Sequence, residues 1–458
     1  MKHILILFIL ALPTIGLAGD ISTKSPAAQQ DVISIEIKHR INGGDFLQAE
    51  TISLPIKKFK SEPSLLLRLI RDNLSNQLKV LPVQINTELE LLLDQVKLPT
   101  MSITTNVAQD GNGISDVILP ASKFSNNGTL VDWKGLKSHI TFASNFANLT
   151  ADTKIAKITV TEKNKQLISL DHIDIYSSFD ADLRPSKLQA IVPSFQAKEN
   201  DNSLNLQDLI ATIDIKKLAS GLEIGNLVLQ LKHIDFTEYG ITTSLNNLSL
   251  TTDTKELNNV INFNLKTNAD KIELPANIGS SLGSIEQTGD ISLLNLDADS
   301  LLSLQTKFHK LHDNPMAAII MLGELMEIAP NVLAKSPKIK LNQLLIKTEK
   351  GNLQGEFTIG LDGEKAKSLA IPVLFNALIA DANLTISKKL LEQAMINQFQ
   401  SSDDKKSVDD AKIAAKEQIK TYLESKMLVE VGDNYQLIAS FSNGKLLVNK
   451  QEMSLPLQ

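Results

Sequence analysis

Gly279-Ser280-Ser281-Leu282-Gly283 spells the G-x-S-x-G elbow, in which a serine hydroxyl is lifted out of a strand-to-helix turn to attack a carbonyl. Asp297 and His309 follow it, in the chain order that a hydrolase triad on this motif uses. That chemistry needs a strand before the serine and a helix directly after it, because the turn itself exposes the hydroxyl. Here Pro275 lies upstream, and Ser284 to Leu296 reads as a turn and strand containing Gly289. Nor do strands and helices alternate around it in the way that would bring an Asp and a His to Ser281. The expectation is a small-residue turn in which Ser281 is dispensable, and a serine hydrolase is the alternative it displaces.

His309 and His312 are three apart beside Asp313, so they could share a helix face and hold a metal ion. No second pair completes such a site, and a helix end, where imidazolium meets exposed carbonyls, explains them without a metal. Asp110-Gly111-Asn112-Gly113-Ile114-Ser115-Asp116 looks like the start of a calcium loop, yet Ile114 stands at a ligand position and no Glu closes it. A glycine-rich hairpin turn is the simpler expectation. Trp133, the single tryptophan, could stack on a ligand; one ring leading into a strand is expected to anchor a core instead. The absence of cysteine removes thiol nucleophiles, thiolate-bound zinc, iron–sulfur clusters and a lipid-modified cysteine. The expectation is therefore no catalytic residue, no metal ligand and no cofactor.

The N-terminus indicates where the protein works. Met1, Lys2 and His3 make a short basic start, Ile4 to Leu12 is unbroken apolar sequence, and Gly16-Leu17-Ala18 places small residues before Gly19. Residues 1–18 read as a secretory signal peptide cleaved after Ala18. The run is short of the roughly 20 residues that cross a bilayer, so a retained inner-membrane anchor facing the periplasm is the alternative. Residues 19–30 follow as a small, polar, flexible leader. Hydrophobic residues make up 43% and charged residues 21%, a globular composition, while the formal charge of −6 and 4% aromatics argue against nucleic acid as a partner.

Residues 31–458 are expected to form a β-rich body of the α+β class. Ile33, Ile35 and Ile37 alternate with polar residues, and strand patterns dominate from about Thr87 to Gly363. An apolar-x-x-apolar-x-apolar spelling recurs at Leu170–Ile175, Leu231–Phe236, Leu245–Leu250 and Leu341–Ile346, read as a turn entering a strand. Helical spacing predicts helices near 64–79, 300–329, 388–399 and 408–426, with Ser300 and Ser387 as N-caps and Pro330 as a stop. The stripe Leu301, Leu304, Phe308, Ile319, Leu322 and Leu325 is expected to pack on the sheet. Together these predict an extended, curved antiparallel sheet partly covered by amphipathic helices.

Val131-Asp132-Trp133-Lys134-Gly135-Leu136-Lys137, then Pro330, Pro337-Lys338-Ile339-Lys340-Leu341 and Thr348-Glu349-Lys350-Gly351-Asn352-Leu353, occur in an order that resembles the YdgA-like family of Gram-negative envelope proteins. The ending agrees in Gly432, Tyr435, Gly444-Lys445-Leu446-Leu447-Val448-Asn449 and Leu455-Pro456-Leu457. Lys450 departs from it, standing where a Gly commonly follows the Asn. The resemblance implies an exported or membrane-anchored β-rich protein without transferable active-site residues. The functional expectation is a non-catalytic periplasmic protein that binds a lipid or other apolar ligand, or an envelope protein, along its sheet. An envelope scaffold is the alternative, and a contiguous exposed apolar face would separate the two.

Overall fold

The computed structural model describes residues 32–55, 80–93, 96–97, 99–126, 128–144, 148–163, 165–181, 183–275, 282–311, 317–401 and 407–453. Of these, 61% lie in strands and 18% in helices, so the chain is β-rich with antiparallel pairing. The signal segment 1–18, the leader 19–30 and the helix expected near 64–79 fall outside the described residues. The chain forms two compact units that part between Ile215 and Lys216.

The main sheet of the first unit runs Glu50–Pro55, Val32–Ile41, Val83–Leu93, Met101–Val107, Gly113–Leu119, Leu136–Phe142, Thr150–Ile155, Ile173–Phe179, Pro185–Glu199 and Asn202–Lys217. Ser122–Asn126, Thr129–Trp133, Ile158–Glu162 and Lys165–Leu170 pair into a smaller ribbon. Pro185–Glu199 joins the two, pairing with Ile173–Phe179 through its first half and with Lys165–Leu170 through its second. Period-2 patterning sets the faces: Met101–Val107 and Ile173–Phe179 bury every second residue.

Sheet and ribbon close on one core, to which the sheet gives Ile35, Leu89, Ile103 and Ile175 and the ribbon gives Val131, Trp133, Ile158 and Val160. Trp133 is 2% exposed and anchors that core. Gly135 turns the chain from ribbon to sheet at φ +93°, where a Cβ would lie 2.5 Å from the Leu119 carbonyl oxygen, so only glycine fits. A row of polar pairs crosses the buried face, His39 with Thr87, Thr105 with Ser115 and Ser138 with Thr153, each at 2.7 Å. Each member satisfies its neighbour, which makes their burial tolerable.

The second unit orders Glu223–Glu238, Ile241–Leu257, Val260–Glu273, Ile285–Asp297, Lys338–Thr348, Gly351–Leu361, Leu378–Ser387 and Asn434–Ser442 into a sheet. Among the described residues its helices are α1 (Ala298–Leu311), α2 (Ala317–Ala334), α3 (Ile371–Ala377), α4 (Lys388–Ser401) and α5 (Val408–Glu424). Three details depart from expectation. Asp297 caps α1, accepting from Ser300 N at 3.0 Å and Ser300 Oγ at 2.7 Å, because the helix begins at Ala298, directly after the strand and nearly one turn ahead of the expected cap Ser300. The Ser387 hydroxyl accepts from Asn352 N instead of capping α4. Pro330 lies inside α2, where both it and Met326, whose carbonyl loses its donor, are exposed and water can substitute.

The recurring spelling also has a different cause. Leu170–Ile175 spans a strand break, while the other copies lie within strands, that of Leu341–Ile346 at a bulge. Leu341 and Leu344 oppose Phe357 and Gly355, which are two apart, so one extra residue is absorbed and both leucines stay on the same face. Ala269 and Ile272 likewise oppose Gln287 and Ile285, and the three-residue spacing then continues in step, without a shift of register, through Leu248 and Leu245 to Leu231 and Ile234. The i, i+3 spacing keeps one apolar face where these strands depart from strict alternation. The helix stripe expected to pack on the sheet is corrected too: Leu301 and Leu304 are half-buried, Phe308, Leu322 and Leu325 face solvent, and the side chain of Ile319 lies outside the described residues. Glu324 of α2, 5% exposed and 2.8 Å from Ser303 of α1, takes the side between the helices.

Candidate functional site: an open apolar sheet face

Directly opposed residues of antiparallel strands share a face, so the register assembles the site. One row runs Leu265, Ile291, Leu341, Phe357, Ala382 and Ala439. The next runs Phe263, Leu293, Ile339, Ile359, Ala380 and Phe441. Leu231 and Leu248 extend the same face toward the first strand of the unit. Across this run of strands, spaced about 4.8 Å apart, the face is about 33 Å wide.

Helices meet this face at opposite corners. α1 brings Leu301 and Leu302 against Ile261 and Leu296. α4 and α5 bring Met395, Ile396, Ala411, Ala415 and Ile419 against Ile386 and Tyr435, the alanines allowing close approach. α3 sets Phe375 edge-on to Phe441 with ring centroids 5.2 Å apart. Between these corners Ile291, Ile339, Phe357 and Ile359 remain 37% to 44% exposed although they adjoin one another in register. Such a patch can hold an apolar chain by removing its surface from water, at about 25 cal/mol per Å².

The reverse face is polar. Asp290 accepts from Asn264 Nδ2 at 2.6 Å and Asn342 Nδ2 at 2.9 Å, with Lys266 at 3.7 Å. Burial alone would raise its carboxyl, but the amides of Asn342 and Asn264 and the Lys266 charge outweigh it and hold Asp290 below the ordinary carboxylate range. On the same unit His233 Nδ1 meets Asn246 Oδ1 at 2.7 Å and its Nε2 meets Asp235 at 2.8 Å.

The residues singled out for chemistry are not brought together. Ser281 and His312 lie outside the described residues, as does the side chain of His309. After Gly283 the chain enters the strand Ile285–Asp297, not the helix an elbow requires. Asp297 is engaged by Ser300 and lies 3.7 Å from Lys335. Asp110 forms the hairpin turn, accepting from Asn112 N at 3.0 Å and Asn112 Nδ2 at 2.8 Å. Among the described residues no group of three or more His, Asp or Glu is placed to hold a metal ion. A concavity of about 710 Å³ on the outer sheet face of the first unit contains His139, with Nδ1 2.8 Å from Asp116. Asp152 stands opposite His139 on the neighbouring strand, while Ser138 and Thr153, at the alternate positions, turn their hydroxyls to the buried face and bond each other at 2.7 Å.

A family profile described as a bacterial protein of unknown function, DUF945, matches residues 75–180 and 173–456. The chain belongs to this family. The DUF945 match spans both units and includes every strand of the open face. No curated protein and no solved structure matches the chain. Among the described residues of this DUF945 protein, no helix is long and apolar enough to cross a membrane. Sequence reading found the alternating strands but missed the site, because contiguity across strands depends on register; the i, i+3 leucine spacing was the one local sign of it.

Proposed function

We propose that this DUF945 protein is a non-catalytic, exported envelope protein of the YdgA-like type that seats the acyl chain of a lipid on the open face of its second unit. The observation carrying the reading is the exposed cross-strand patch of Ile291, Ile339, Phe357 and Ile359 on a face that is mostly apolar. The spelling of residues 1–18 supports export, and N-terminal sequencing of the mature protein should begin at Gly19; intact Met1 on membrane-bound protein would favour the anchored alternative.

Mass spectrometry of material co-purifying with the native protein tests the ligand. Acyl lipids should be recovered with wild type and lost with Phe357→Asp. A protein partner without lipid, or lipid retained equally by the variant, would replace this reading. Labelling by a serine-directed phosphonate that disappears in Ser281→Ala would restore the hydrolase alternative.

A further inference from the structure

The polar face of the second unit, opposite the apolar rows, carries a trough. Cross-strand register lines up Asn268, Thr288, Leu345, Gln354, Thr385 and Gln436, one residue from each of six neighbouring strands. At about 4.8 Å per strand the row is about 24 Å long. Two concavities lie along it, of about 410 Å³ and about 270 Å³, and Leu345 and Lys347 line both. The bulge in Lys338–Thr348 shapes the larger one. Leu341 and Leu344 both keep to the apolar face, so Asn342 and Gln343 are both delivered to the polar side, where strict alternation would place one. Asn342 donates to Asp290 at 2.9 Å and to Ser292 at 2.7 Å, which fixes it in place. Gln436 donates to Asn383 at 3.2 Å, and Lys347 pairs with Glu286 at 2.9 Å. Gln343 and Gln354 are exposed, and among the described residues their amides bond nothing in the protein.

We propose that this trough binds a neutral, linear glycan. The chemistry of its lining selects that partner. A primary amide offers an N–H donor and a carbonyl acceptor side by side, which matches a pair of neighbouring sugar hydroxyls or an acetamido group. Asn342, Gln343, Asn352, Gln354 and Asn383 supply such amides around the larger concavity, with the Thr385 hydroxyl beside them. Leu345 gives this polar surface an apolar floor, against which the C–H face of a sugar ring can lie. Lys347 and Glu356 are the charges in the lining of the larger concavity; Glu286 neutralises the first, and the second leaves a negative charge that disfavours polyanions. A linear chain laid along the row meets a new strand at every step, so the contacts repeat as its rings do. The site lies on the face opposite Phe357 and is independent of whether that face holds an acyl chain.

The test is calorimetric titration of the full chain with chitotetraose and with cellotetraose, both neutral and linear. Wild type should bind at least one of them, and Lys412→Ala, an exposed change on α5, should bind it equally well. Gln343→Ala and Gln354→Ala should each weaken binding about fivefold, the worth of one neutral hydrogen bond, and together about twentyfold. Both side chains are exposed, so thermal unfolding should be unchanged and the loss cannot be charged to misfolding. Absence of binding to both sugars, or wild-type affinity in the double variant, overturns the proposal. So does tighter binding of a sulfated tetrasaccharide that added salt abolishes, which would make the trough an anion site.

Discussion

The two units begin from the same material, antiparallel strands with an aliphatic face, and dispose of that face differently. In the first, a ribbon folds back over the sheet and the apolar residues of both meet around Trp133. In the second, helices reach the sheet at opposite corners, and Ile291, Ile339, Phe357 and Ile359 stay accessible between them. The first arrangement gains stability from every apolar side chain it buries; the second leaves part of that gain unrealised. Unrealised burial over a contiguous patch is what a ligand can complete, and this is why function is assigned to the second unit and not to the first.

The sharpest way to break the comparison is to truncate one residue in each unit. Trp133→Ala should cost about 3–5 kcal/mol, combining lost transfer energy with the cavity left between ribbon and sheet. Phe357→Ala should cost far less, because its side chain already meets solvent. Urea denaturation followed by far-ultraviolet circular dichroism reads both, since the first variant removes the only tryptophan. Equal losses would mean that the open face is structural core.

What could be read from the sequence divides along the same line. Alternation located strands such as Met101–Val107, and the lone Trp133 was legible as a core anchor because a large ring beside a strand has few other uses. Phe308, Leu322 and Leu325 were misread: helical spacing identifies a stripe but not the side on which its neighbour lies, and here buried Glu324 occupies that side. The open patch was illegible for a different reason. Ile291, Ile339 and Phe357 are distant in sequence and become neighbours only through register, which bulges shift by one residue.

Phe357→Asp sharpens the functional side. Placing a carboxylate in the middle of the patch should weaken uptake of a long-chain fatty acid or an apolar dye about tenfold, roughly 1.4 kcal/mol. Titration by fluorescence measures it, and unchanged affinity would move the ligand away from this face. A smaller effect calibrates the stability of the second unit without touching the patch. Lys450 holds φ +68° next to Asn449, whose side chain accepts from Ile438 N and donates to the carbonyls of Lys426 and Met427. A left-handed backbone costs a residue with a Cβ about 1–2 kcal/mol, and glycine's extra chain entropy offsets part of the relief. Lys450→Gly should therefore stabilise by about 0.5–1 kcal/mol in thermal unfolding, with ligand affinity unaltered.

The smallest expected effect concerns the polar reverse face. The hydrogen bond with Asn246 and the Asp235 carboxylate raise the His233 pKa above its ordinary value, against a smaller opposing effect of burial. The folded protein then holds the proton more tightly than the unfolded chain. Its stabilising contribution is complete below the unfolded value of about 6.5 and is lost as pH rises through the folded value. Denaturation midpoints should accordingly decline as the pH is taken upward through that window, and Asp235→Asn should flatten the decline. Because the imidazole is partly exposed, the change stays small beside the loss expected for Trp133→Ala. If Asp235→Asn leaves the slope unchanged, the pH dependence comes from another group, and the reverse face contributes hydrogen bonding without a titrating element.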